Sequence, residues 1–91
     1  MQGRIGDART ANEEYLGISR TLLALNPSST QAKRDVMVSH VKLAELPNGD
    51  AHLRAALLIA EEMVRDGVLA PSDQRLLEQL RAEVKTLDPG K

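Results

Sequence analysis

The residues best equipped for chemistry sit in the middle of the chain. Asp35, Ser39 and His40 supply the carboxylate, hydroxyl and imidazole of a hydrolytic trio. His40 and His52, joined by Glu45 or Asp50, offer the donor types of a transition-metal site. Glu13-Glu14 and Glu61-Glu62 are carboxylate pairs, the groups that share general acid and base work. Spacing counts against each. Asp35, Ser39 and His40 fall on one expected helix, where adjacent positions diverge by about 100°, so His40 points away from Ser39. No Gly-rich strand-to-helix elbow is present to build an oxyanion hole. The two histidines lack HxxxH or ExxH spacing, and Pro47 and Gly49 lie between them. The paired glutamates diverge in the same way, and Glu61 is placed to meet Arg65 at i+4. The expectation is a non-enzymatic chain with no metal and no cofactor. His40 is expected to be buried and neutral, with a ring nitrogen bonded to a backbone or side-chain partner. A pH-sensitive packing position is its alternative role.

Composition narrows the classes further. With 91 residues, the chain has the size of a single small domain, able to bury roughly 60–65% of its unfolded surface. Twelve Lys and Arg against thirteen Asp and Glu leave a net charge of −1, so no cationic surplus draws it to nucleic acid or to anionic lipid. Cysteine, tryptophan and phenylalanine are absent, and Tyr15 is the single aromatic, which removes thiol chemistry and base-stacking platforms. No run of roughly 18–20 apolar residues spans a bilayer, and Met1 to Ala11 has no signal-peptide core. A cytoplasmic protein is expected.

The elements that must position any site are helices. Leu and Ala dominate, and the β-branched residues are too scattered to alternate as strands. Breakers at Asn26-Pro27-Ser28, Pro47-Asn48-Gly49 and Gly67 to Ser72 divide the chain into four helices, expected at about 7–25, 29–46, 50–66 and 73–87. Asp7 is the expected start of the first, whose inward stripe reads Ala8, Ala11, Tyr15, Ile18, Leu22 and Leu25. The second presents Ala32, Val36, His40 and Leu43. The third presents Leu53, Ala56, Leu57, Ala60, Met63 and Val64, with Gly67 as a left-handed C-terminal cap. The fourth presents Leu76, Leu77, Leu80, Val84 and Leu87, closes at Pro89-Gly90, and turns Arg75, Glu78, Gln79, Arg81, Glu83 and Lys85 to solvent. Short connections force each helix back antiparallel on its predecessor, as a stack of hairpins or a four-helix bundle.

Internal similarity favours the stack. Gly6-Asp7-Ala8 recurs as Gly49-Asp50-Ala51 at an offset of 43, and Pro27-Ser28 as Pro71-Ser72 at 44. The stripe Ala32, Val36, His40, Leu43 superposes on Leu76, Leu80, Val84, Leu87.

Gly6-Asp7, Ala11, Leu16, Ile18, Leu22, Asn26-Pro27-Ser28, Arg34-Asp35, Val38-Ser39-His40 and Lys42-Leu43 together resemble a tetratricopeptide repeat of the bacterial long-helix kind. The likeness covers Gly6 to Leu43. It weakens beyond, where Pro47-Asn48-Gly49 interrupts the second helix, Ala44 stands in place of a small Gly, and Gly67 to Ala70 lengthens the turn. The resemblance implies an all-α fold of antiparallel hairpins stacked as repeats. The first and third helices would be the second helices of a unit, so the chain starts in mid-repeat. It also implies a protein–protein interaction or scaffolding module that presents a helical surface to a peptide or partner domain.

By that resemblance Arg34, Val38, Val41 and Glu45, spaced four, three and four, line the concave face as the partner-binding stripe. The competing expectation packs Val38 and Val41 against the fourth helix. The first helix, uncovered on one flank, is expected to expose Leu16 and above all Leu23 as a self-association surface. A self-assembling unit, or a piece of a longer array, is therefore the rival reading.

Overall fold

The computed structural model describes residues 2–87 as four α-helices: α1 (Gln2–Leu25), α2 (Thr30–Ala44), α3 (Asp50–Arg65) and α4 (Gln74–Leu87). A single 3-10 turn, Pro71–Asp73, leads into α4, and no strand occurs among the described residues. The fold is all-α, built from antiparallel hairpins.

Local chemistry explains most boundaries. The Asn26 N–H still bonds back to the Leu22 carbonyl at 3.0 Å, and the Ser29 N–H reaches Asn26 O at 3.0 Å across the Pro27 turn. Ser29 then caps α2, its extended backbone (φ −71°, ψ 111°) letting Oγ accept from the Ala32 N–H at 3.1 Å. At the end of α3, Gly67 takes φ 69°, so its N–H reaches Val64 O at 3.0 Å while the Val68 N–H reaches Met63 O at 2.9 Å. These two bonds form a Schellman stop, which satisfies carbonyls the helix leaves open. Asn48 also lies in the left-handed region, at φ 64°, a conformation its short polar side chain tolerates.

Several expectations are corrected. The first helix starts at Gln2, so Asp7 lies inside it rather than at its cap. The second ends at Ala44, two residues short of Leu46, because the Glu45 N–H already turns back to Leu43 O. The expected start of α4 at Asp73 is a tighter turn, with Asp73 N–H bonded to Ala70 O at 2.9 Å. Pro89-Gly90 lies outside the described residues. The two Gly-Asp-Ala copies are not equivalent: Gly6 is within a helix with open space around it, whereas Gly49 precedes α3 in close contact with Ala44.

Two clusters make the core. Met37 from α2, Ala56, Ala60 and Met63 from α3, and Leu77 and Leu80 from α4 form the larger. Ala56 and Ala60 are small enough for α3 to approach its neighbours closely. Leu16 from α1 with Val36 and Leu43 from α2 form the smaller, flanked by Leu23, Leu46 and Ile59. The expected stripe of α2 is buried throughout, and on α3 only Val64 is exposed instead of inward.

The face of α1 is the largest correction. Tyr15, Ile18, Leu22 and Leu25, expected inward, are exposed, as are Ala8 and Ala11. Leu16, expected on the surface, is 5% exposed, and Leu23 is half-buried against the second cluster. The helix is rotated by roughly a third of a turn from the expected orientation. Polar contacts hold it there: Arg9 Nη2 donates to Pro47 O at 2.7 Å, Arg20 reaches His40, and Ser19 is buried.

Among the described residues, helix backbones come close only between neighbours in sequence: α1 with α2, α2 with α3, α3 with α4. A closed bundle would bring α1 against α4, so this is a stack of hairpins. Its outline, 42 × 38 × 21 Å, is a slab rather than a cylinder.

Candidate functional site

Stacking alternate helices on one side of a slab leaves a furrow between them. Here α2 and α4 border it and α3 forms its floor. Val41, Ala44 and Glu45 line it from α2, Leu53 from α3, and Leu76, Gln79, Leu80 and Glu83 from α4, around a volume of about 500 Å³. Its base is apolar through Val41, Leu53, Leu76 and Leu80. Its rim carries the exposed carboxylates Glu45 and Glu83 and the amide of Gln79.

Two of the four expected partner-binding residues, Val41 and Glu45, therefore line the groove. The other two are committed elsewhere. Arg34 makes a two-pronged bond to Asp73, Nε to Oδ2 at 2.8 Å and Nη2 to Oδ1 at 3.1 Å, strapping α2 to the turn that opens α4. That hydrogen bond and charge raise the Arg34 pKa further above its ordinary value. The Asp73 side chain is nearly sealed from solvent, which makes the guanidinium its compensation. Val38 packs against the larger core cluster, as does Val41, whose side chain also borders the groove. Sequence reasoning missed the α4 side of the groove, although Gln79 and Glu83 lie four apart on a face read only as solvated.

The hydrolytic trio does not assemble. Ser39 is buried and donates its hydroxyl to the carbonyl of Asp35 at 2.8 Å, while the Asp35 carboxylate accepts from Gln31 at 2.8 Å. The histidines do meet. His40, 3% exposed, lies with its Nδ1 2.9 Å from Nδ1 of His52, the rings tilted 34° with centroids 5.2 Å apart. On its other side Arg20 Nη2 approaches His40 Nε2 at 3.4 Å. Burial first, then the Arg20 charge and His52, push the His40 pKa down to about 4, so the ring is neutral near pH 7. Neither Glu45 nor Asp50 joins the pair, and no group of three or more metal-ligating side chains is found among the described residues. Glu61, expected to pair within α3, instead accepts from Arg81 Nε of α4 at 3.2 Å.

No helix among the described residues is long and apolar enough to cross a membrane. Compared with family models, curated proteins and solved structures, the chain has no match in any of the three. The groove must be interpreted from its own geometry.

Proposed function

We propose that the chain is a non-enzymatic interaction module that holds a peptide segment in the groove between α2 and α4. The observation that carries this reading is an apolar floor beneath a rim bearing Glu45 and Glu83. An aliphatic anchor suits the floor, and a Lys or Arg beside it suits the carboxylates. The sequential stacking of hairpins, with α2 and α4 on the same side, supports the tetratricopeptide-like interpretation, in which alternate helices line the binding surface. The family resemblance extends the reading to a bacterial, cytoplasmic scaffolding protein. A groove with so few lining residues gives modest affinity, in the micromolar range.

Selection of displayed peptides on the intact chain tests this. Enriched sequences are expected to combine an aliphatic residue with a neighbouring basic one. Val41→Arg or Glu83→Lys is expected to weaken their binding at least tenfold, and Glu78→Lys on the outer face of α4 to leave it unchanged. Binding that survives Val41→Arg refutes the groove.

A further inference from the structure

We infer that the contact between His40 and His52 is a proton-operated latch, which releases α1 from α2 when acid adds one proton to the pair. The chain has two histidines, and the fold brings both to the place where α1, α2 and α3 meet. Their ring centroids, 5.2 Å apart, exceed the 2.9 Å between the Nδ1 atoms by about one ring radius at each end, so the two nitrogens meet head-on. A metal ion between head-on nitrogens needs about 4 Å, so this gap fits a hydrogen and nothing larger. On the far side of the His40 ring, Arg20 Nη2 faces Nε2 at 3.4 Å. Arg20 carries only hydrogens, so Nε2 must be bare, and of the two facing Nδ1 atoms just one can hold a proton. Two neutral rings meet both conditions, with a proton on His40 Nδ1 and one on His52 Nε2. A third proton fits nowhere: on His40 Nε2 it confronts Arg20, and on His52 Nδ1 it confronts the proton of His40. Shifting that proton to Nε2 to make room restores the clash with Arg20.

The surrounding charges do not relieve the added proton. Those that bear on His40 belong to Arg20 and His52, and both oppose it. Glu13 and Arg9 of α1 border a hollow with His52, and Arg9 is already bound to Pro47 O. Lys42 of α2 lies over the Tyr15 ring, 5.8 Å from its centroid, and on α3 Asp50 and Arg54 are exposed. The side that gives way is α1. A His40 protonated on Nε2 still donates through Nδ1 to His52, which preserves the link to α3, whereas Arg20 loses its acceptor. Among the described residues of α1, Leu16 and Ser19 are the buried ones, while α2 and α3 share Met37, Ala56, Ala60 and Met63. An end helix with one buried apolar anchor is the element of lowest local stability. Its release lets water reach the charged ring and uncovers Leu16, Val36 and Leu43.

Two measurements on the full chain test this. Nitrogen-15 spectra at pH 7 are expected to show His40 protonated at Nδ1 and His52 at Nε2. Hydrogen exchange, corrected for its intrinsic pH dependence, is expected to lose at least tenfold protection over residues 16–25 between pH 7 and pH 4, with residues 56–63 of α3 unchanged. The sign follows because the released form takes up the proton at the ordinary histidine value and the closed form only at lower pH, so acid draws the equilibrium toward release. Arg20→Gln, at an exposed position, supplies an amide that can accept from Nε2 as well as donate to it. It is expected to abolish the loss while leaving every carboxylate in place. His40 found protonated at Nε2 at pH 7, protection over residues 16–25 that persists at pH 4, an equal loss over α3, or an undiminished response in Arg20→Gln would each overturn the proposal.

Discussion

His40 Nδ1 lies 2.9 Å from His52 Nδ1, while on the other side of the same ring Arg20 Nη2 lies 3.4 Å from His40 Nε2. Arg20 only donates, so His40 Nε2 must accept, which leaves the proton on His40 Nδ1 and makes His52 Nδ1 the acceptor. A polar chain thus runs from α1 through α2 to α3, following the order in which these helices pack.

Acid should break this chain. His40 has its folded pKa lowered from 6.5 to about 4, so the unfolded protein binds the proton first as pH falls. Its contribution is fully present above about pH 6.5, declines between 6.5 and 4, and levels off below. The loss amounts to about 3 kcal/mol by linkage. Urea unfolding at a series of pH values measures it, and His40→Asn should flatten the slope over that window.

Removing the Arg34 strap should cost more than its surface position suggests. Arg34→Ala leaves the Asp73 carboxylate shielded and unpaired, an expected loss of about 2 kcal/mol and a Tm lower by roughly 10 °C. Arg81→Ala breaks the Glu61 pair, which is open to solvent on both sides, and should cost under about 1 kcal/mol. A double-mutant cycle with Asp73→Asn isolates the coupling within the first pair.

Gly49 is required for the close approach of the α2 and α3 ends, not for backbone freedom. A Cβ there would sit 2.5 Å from the Ala44 carbonyl oxygen and 2.6 Å from its Cα, and backbone yields poorly. Gly49→Ala is expected to destabilise by about 2 kcal/mol in denaturant titrations.

Gly17 should behave oppositely. It lies within α1, and a Cβ added there meets nothing within 4 Å. Gly17→Ala is expected to stabilise the chain by roughly 0.5–1 kcal/mol, raising the thermal midpoint, because it lowers the backbone entropy lost on folding.

Much of the fold was legible along the chain because its signals are local. Ser29, Gly67 and the Pro27 turn act on carbonyls and N–H groups within a few residues of themselves, so their roles follow from residue type and position. The α2 stripe was equally readable, since this central helix contacts both α1 and α3. Of the groove, Val41 and Glu45 were visible from one helix alone. Their partners Leu76, Gln79 and Glu83 belong to a helix thirty or more positions further on, beyond the reach of periodicity.

The sequence by itself determined four helices, the approximate bounds of most of them, the Gly67 cap and the neutral buried state of His40. Only the tertiary structure decided which side of α1 faces inward, that Arg34 belongs to Asp73, and that His40 finds His52. Periodicity ranks the faces of a helix by apolarity, but the face that is buried depends on what its neighbour offers. For α1 that neighbour offered a histidine for Arg20, a carbonyl for Arg9, and a narrow apolar seat for Leu16, which together outweighed the broader stripe through Ile18.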